Sequence, residues 1–248
     1  MKLKIDKAGD MKRSIDGISV LVDEAEFIAG AEGLSLKATD PSQISMVEFM
    51  MNKSGFQEYK AKEGENIGLD LSYLSQILGR ASATDQLEMS TNEEKTRLQL
   101  KFTGKSSKSF SMPLLDLSQS KLPNPKIEFD AELKIESSVL TDALKDAQLI
   151  SNHVTLGVNP DAFYVRAESS KGNLYNETQK SEKSVKDFTA KGSAKSMFPL
   201  EYLQDMLKAA GSDTDVTLKL KNDAPLELSY MVGKASLKYF LAPRIESE

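Results

Sequence analysis

Apolar and polar residues alternate strictly along Leu34-Ser35-Leu36-Lys37-Ala38, Leu98-Gln99-Leu100-Lys101-Phe102, Val216-Thr217-Leu218-Lys219-Leu220 and Leu226-Glu227-Leu228-Ser229-Tyr230. A period of two sends every apolar side chain to one face, so each stretch predicts a strand buried on one side only. Elsewhere the period lengthens. Met11, Ile15, Ile18 and Val22 fall on one stripe of a helix, with Asp10 placed to cap it. Leu140, Leu144 and Ala147 form a matching stripe after Ser137-Ser138, again capping residues. Two shorter helices are expected over 72–79 and 201–208, each ending near small residues.

The pattern is written twice. Leu71-Ser72-Tyr73-Leu74-Ser75-Gln76-Ile77-Leu78 returns as Leu200-Glu201-Tyr202-Leu203-Gln204-Asp205-Met206-Leu207, an offset of 129 read from Tyr73 to Tyr202. The same offset carries Met11, Ile15, Ile18 and Leu21 onto Leu140, Leu144, Ala147 and Ile150. It also carries Leu34, Leu36 and Ala38 onto Phe163, Val165 and Ala167. Late in each half the register slips by one or two, so that Leu98-Gln99-Leu100 faces Leu226-Glu227-Leu228. Each half reads as antiparallel strands covered on one face by two short helices, an α+β unit. The expected division is an N-terminal domain over 1–113, a Pro-containing connector over 114–126 and a C-terminal domain over 127–248.

Chemistry is constrained by what the 248 residues lack. There is no cysteine, which excludes disulfides, thiolate metal sites and a cysteine nucleophile. His153 is the only histidine, and no Gly-x-Ser-x-Gly elbow or Walker-type phosphate loop accompanies it. It is read as a loop or strand-edge residue. The many carboxylates are spread over alternating strand positions without metal-ligand spacing. No apolar run approaches the roughly 18 to 20 residues needed to cross a bilayer. The first residues alternate like a strand and lack the apolar centre of a signal peptide, as expected of an intracellular protein. The net charge is −5, so any binding to phosphates must be confined to a local basic face.

Three segments resemble one family, the PCNA sliding clamps of archaea and eukaryotes. They are Asp40-Pro41-Ser42-Gln43-Ile44-Ser45-Met46-Val47, Ile67-Gly68-Leu69-Asp70-Leu71-Ser72-Tyr73-Leu74 and Leu237-Lys238-Tyr239-Phe240-Leu241-Ala242-Pro243-Arg244-Ile245-Glu246. The last is similar to the family's Leu-Lys-Tyr-Tyr-Leu-Ala-Pro-Lys-Ile-Glu. The resemblance implies two tandem domains of the DNA clamp fold, assembled head to tail into a trimeric ring around duplex DNA. No cofactor, metal or catalytic residue is implied. The implied partners are DNA polymerase, a clamp loader, flap endonuclease and DNA ligase, in the cytoplasm or nucleoid of an archaeon or the nucleus of a eukaryote. Strands near 107–113 and 174–181 would pair between neighbouring copies, since an unpaired edge is otherwise a liability. Val20 and Leu149, opposite the apolar stripes, are candidates for the same joints.

By the same resemblance Lys12, Arg13, Arg80, Lys145 and Lys208 face the DNA, while Ser19, Gln76 and Asp142 stand where relatives often carry a base. Asp142 or Asp146 would otherwise pair with Arg80 across a joint. The client-peptide pocket is expected to use Gln43, Ile44, Met46, Leu117, Leu122, Pro225, Phe240, Ala242, Pro243 and Ile245, with either Ile127 or Phe129 as a further wall. Without the family, Ile44 and Leu241 read as core. Two other readings remain open on the sequence: a subunit of a heterotrimeric or checkpoint-type clamp, and a carboxylate-based hydrolase.

Overall fold

The computed structural model describes residues 1–117, 122 and 125–244. They form two compact units, one from Met1–Pro41, Val47–Pro123 and Val232–Leu237, the other from Ser42–Met46, Asn124–Met231 and Lys238–Glu248.

In the first unit, β1 (Lys2–Ile5), β5 (Glu58–Lys60), β7 (Gln86–Thr91), β8 (Arg97–Thr103) and β9 (Ser107–Pro113) form one antiparallel sheet. Its order is β5-β1-β7-β8-β9. β6 (Glu65–Asp70), β2 (Glu24–Ala29), β3 (Gly33–Thr39) and β4 (Ser45–Asn52) run side by side in that order. Helices α1 (Ala8–Ser19) and α2 (Leu71–Leu78) accompany them. The alternation expected from the sequence is realised: Leu98, Leu100 and Phe102 are buried between exposed neighbours. Met11, Ile15 and Ile18 of α1 are buried too, whereas Val22 lies beyond the helix and is only half-buried.

The second unit repeats this plan. β14 (Val185–Ala190), β10 (Ala131–Glu136), β16 (Asp215–Leu220), β17 (Leu226–Val232) and β18 (Ala235–Leu241) follow one another. A four-stranded sheet has the order β13 (Gly172–Gln179), β12 (Ala162–Ser169), β11 (His153–Val158), β15 (Ala194–Pro199). α3 (Ser137–Gln148) and α4 (Leu200–Leu207) start and stop 129 residues after α1 and α2. The slip is located by strand pairing. Leu87 opposes Phe102 in the first unit and Val216 opposes Tyr230 in the second, so β7 keeps the offset of 129 and β8 shifts to 128.

The long helices begin earlier than the sequence suggests. Asp10 does not cap α1: the helix starts at Ala8, and Asp10 sits in its first turn against Arg13, 3.0 Å away. Ser137 and Ser138 likewise lie inside α3 instead of ahead of it. The physical reason is tertiary. The Ala8 and Gly9 N–H groups donate to the carbonyls of Asp85 (2.8 Å) and Ala83 (3.1 Å), and those of Ser137 and Ser138 to Thr214 (2.8 Å) and Ser212 (3.2 Å). Loop carbonyls thus satisfy the donors that a side-chain cap would otherwise serve. Gly9 is required for this approach, since a Cβ there would lie 2.9 Å from that of Ala83. The short helices also start one residue early. Asp70 caps α2, its carboxylate accepting from the Tyr73 N–H at 2.8 Å.

The core of the second unit contains a polar pair. Tyr230 donates its hydroxyl to the Met206 carbonyl near the end of α4 at 2.7 Å, and stands 3.2 Å from the Tyr239 hydroxyl. Burial pushes the Tyr230 phenol up to about 12, and it pushes Tyr239 up as well. A raised folded-state value means that the native protein holds this proton where the unfolded chain releases it. The contribution is complete below about pH 10 and is lost as pH rises toward 12. Tyr230→Phe is expected to cost about 1–3 kcal/mol at neutral pH, because the Met206 carbonyl loses its donor. It should also flatten the fall in melting temperature above pH 10, which calorimetry between pH 7 and 11 would read.

Candidate functional site

The basic residues expected on the helix faces are held by those helices, and most are paired with acids one turn away. In the first unit Lys12 Nζ lies 2.6 Å from Asp16, and Arg13 pairs with Asp10. Asp16 also accepts from the Ser75 hydroxyl of α2 at 2.6 Å, which ties the two helices together on this face. Arg80, two residues past α2, forms no ion pair among the described residues; its carbonyl accepts from Lys108 of β9 at 2.8 Å. In the second unit Lys145 pairs with Asp142 (3.0 Å) and Lys208 with Asp205 (2.6 Å). Lys145 and Lys208 line one open groove with Thr141 and Gln204 between α3 and α4. All these pairs are at least partly exposed, so each contributes little. On the first face Lys12, Arg13 and Arg80 outnumber Asp10 and Asp16, with Lys108 as a neighbour that alternation alone did not single out, whereas on the second Lys145 and Lys208 are balanced by Asp142 and Asp205.

The residues expected at the client pocket are distributed as follows. In the second unit, Gln43 has a left-handed backbone, φ +59°, in the turn that leads into Ile44. The Ile44 carbonyl accepts from the Ala242 N–H at 2.8 Å, so the segment after β18 is fastened to this loop. Met46 and Phe240 are buried at 8 % exposure each, while Ile44, Pro225, Ala242 and Pro243 remain half-buried. Leu241 is core, as expected without the family; Ile44 is not. Ile127 and Phe129 are both half-buried, with Lys219 6.0 Å from the Phe129 ring centre. In the first unit the Leu115 N–H donates to the Gly68 carbonyl at 2.9 Å. A Cβ on Gly68 would collide with the Leu115 oxygen at 2.2 Å, so glycine is needed where the connector crosses β6. Leu117 follows, its Cγ 3.3 Å from where that Cβ would stand, and Leu122 is half-buried. On β2, opposite Gly68, burial and then the Asp116 carboxylate push the Glu26 carboxyl above its usual range. Ile245 lies outside the described residues.

Two sheet edges complete the surface. β9 and β13 each have a neighbour on one side only. The Leu114 N–H donates to Thr96 O beyond the Arg97–Pro113 pair, so the pairs Leu98–Met112 and Leu100–Phe110 exchange the ladder bonds. The backbones of Ser107, Ser109 and Ser111 consequently point outward. The same reading of β13, from the Lys180 N–H donating to Asp161 O, turns Asn173, Tyr175, Glu177 and Gln179 outward. Tyr175 is 58 % exposed on that edge. Leu149 is 75 % exposed at the end of α3, while Val20 at the end of α1 is half-buried.

A twice-repeated α+β unit, with paired helices on each copy and open sheet edges, is the architecture of a DNA clamp. Residues 1–121 match the model of the proliferating cell nuclear antigen N-terminal domain, and residues 124–245 that of its C-terminal domain. A DNA polymerase sliding clamp of Methanococcoides burtonii is 35% identical over 242 residues, 96% of each chain. The solved structure of PCNA from Thermococcus kodakaraensis superposes with a TM-score of 0.94 at 24% identity, covering 98% of this chain and 99% of that one. A. fulgidus PCNA, solved with the C-terminal region of FEN-1 bound, superposes with a TM-score of 0.90 at 28% identity, over 100% and 99%. The chain therefore belongs to the proliferating cell nuclear antigen family and functions as a DNA sliding clamp.

Proposed function

We propose that three copies of this chain close head to tail into a ring threaded by duplex DNA, and that the ring tethers replication and repair enzymes without chemistry of its own. The observation that carries this reading is the pair of open edges. β9 and β13 offer outward backbone groups in alternate positions, although the Ser111 carbonyl already accepts from Arg97 at 2.9 Å, and joining one copy's β9 to the next copy's β13 would satisfy the others. A head-to-tail joint of this kind ends in a closed ring when its rotation permits. The domain limits of 1–113 and 127–248, with the connector at 114–126, belong to this proposal.

Lys12, Arg13, Arg80, Lys145 and Lys208 are assigned to the DNA. Contacts to phosphate carry no sequence information, and weak ones permit sliding. Retention then comes from topology and not from affinity, which reconciles the role with a net charge of −5. DNA polymerase, clamp loader, flap endonuclease and DNA ligase are assigned to the docking residues Gln43, Ile44, Met46, Leu117, Leu122, Pro225, Phe240, Ala242, Pro243 and Ile245. Apolar walls there would desolvate a client's anchors while backbone groups orient it. The protein works inside the cell, with the replication machinery.

Retention on circular against linear DNA tests the reading, after a clamp loader has opened and closed the ring. The ring is expected to stay on a closed circle and to leave once the circle is cut. Equal retention on both forms would mean that it binds by surface affinity, and would overturn the encircling role. A persistent monomer in solution would point to a missing heterologous partner subunit.

A further inference from the structure

The exposed face of the sheet β13-β12-β11-β15 carries a polar cleft of about 620 Å3 that none of the roles above uses. Strand register builds it. Thr155 of β11 lies between Arg166 and Met197, and Gly157 between Tyr164 and Lys195. Gly157 forms the floor: a Cβ there would stand 2.3 Å from the Tyr164 ring, so the ring can lie across the strand only because the residue is glycine. Tyr164 is stacked in turn on Tyr175, with centroids 5.5 Å apart. Arg244 closes one side. Its N–H donates to the Met197 carbonyl at 2.7 Å, and its Nη1 lies equally close to both His153 nitrogens, 3.0 and 3.1 Å.

The charge of this cleft is opposite to that of the chain. Arg166, Lys195 and Arg244 line it, against one carboxylate, Glu168, which Arg166 already holds at 2.6 Å. Among the described residues Lys195 and Arg244 make no ion pair. Burial and then the Arg244 guanidinium push the His153 imidazole below its ordinary value, so the positive charge resides on the three long side chains. The cleft also continues the proposed docking edge, because Arg244 stands two residues beyond Ala242, whose N–H is fastened to Ile44.

We propose that this cleft is a second docking subsite, which receives an acidic stretch flanking the anchor motif of a client peptide. The proposal rests on the client-docking role assigned to Ala242 and its neighbours. A peptide following residues 242–244 is led directly to Arg244, and its carboxylates then meet Lys195 and Arg166 across the face of Tyr164. The anchors would set affinity common to all clients, while the cleft would rank clients by the charge of their flanks.

The test uses the full chain and the FEN-1 C-terminal region as probe, either unextended or extended at each end by three acidic or three basic residues. Binding is followed by calorimetric titration against wild type, Lys195→Glu and Lys195→Arg. The acidic extension at one end is expected to tighten binding about five-fold at low salt, and the gain should disappear near 0.5 M salt. Lys195→Glu should abolish the gain, Lys195→Arg should keep it, and the unextended peptide should bind all three proteins alike. An extension effect independent of charge, or one insensitive to Lys195→Glu, overturns the subsite alone. Failure of the unextended peptide to bind wild type overturns the docking role and the subsite with it. Displacement of the acidic peptide by single-stranded DNA, with Lys195-dependent DNA binding, would reassign the cleft to nucleic acid and also overturn the proposal.

Discussion

Proline at both Ser109 and Ser111 is expected to convert a particle of about 82 kDa, three times the 27.3 kDa subunit, into a monomer. The argument runs through the parity of β9. Ladder bonds to β8 are made by Leu98–Met112, Leu100–Phe110 and Phe102–Lys108, so the Ser109 and Ser111 N–H groups face away from β8. Proline there removes two outward donors and leaves the subunit's own ladder intact, which is why the residue is tolerated on edge strands. Pro113 already occupies an equivalent position at the end of the strand. Two lost inter-strand bonds cost about 1–3 kcal/mol at every joint, and a ring has to close all its joints at once. Light scattering across a dilution series reads the mass, and retention on circular DNA should fall with it. The melting temperature of the subunit should change little. A double variant that stays trimeric would remove β9 from the joint.

Ala242→Glu is expected to remove client binding while sparing the ring. Ala242 is half-buried, its N–H is committed to Ile44, and Phe240 and Pro243 lie within two residues of it in sequence. A carboxylate at this position would be desolvated under the client's anchors. Truncating or spoiling a central anchor pocket costs about 2–4 kcal/mol, roughly 30- to 1000-fold in affinity. Titration with the FEN-1 C-terminal region should show that loss, whereas the native mass and circular-DNA retention should match wild type. Dissociation of the trimer in this variant would mean that the segment after β18 serves assembly, and the assignment of the pocket would fall. The two variants therefore separate the surfaces: one loses the ring, the other loses the clients.

The duplication, the α+β class and most strand positions were legible in the sequence, because a period of two or of about 3.6 is imposed by burying one face of each element. Leu98, Leu100 and Phe102 could be assigned to the interior without coordinates for that reason, and the offset of 129 was already readable from one repeated helix. Where the long helices begin was not legible. Asp10, Ser137 and Ser138 look like caps, yet they lie inside the helices, where the N–H groups of Ala8, Gly9, Ser137 and Ser138 are met by carbonyls of residues more than seventy positions away. Local sequence carries no record of such a partner. The one-residue slip between the halves was visible, but its place between β7 and β8 was fixed only by strand register.

The functional surface divides in the same way. The segment from Leu237 and the loop around Gln43 were recognisable by their resemblance to the family, and the structure fastens them to each other through the Ala242 N–H and the Ile44 carbonyl. That Lys12, Arg13, Lys145 and Lys208 each share their charge with a neighbouring acid was decided by the folded helices, which bring residues three or four apart side by side. The basic cleft could not be seen in the sequence at all. Arg166, Lys195, Arg244 and His153 come from four separate stretches, and their side chains converge only because β11, β12 and β15 pair with Gly157 at the centre. Sequence determines which face of each element is buried; the pairing of strands distant along the chain decides which charges share a surface.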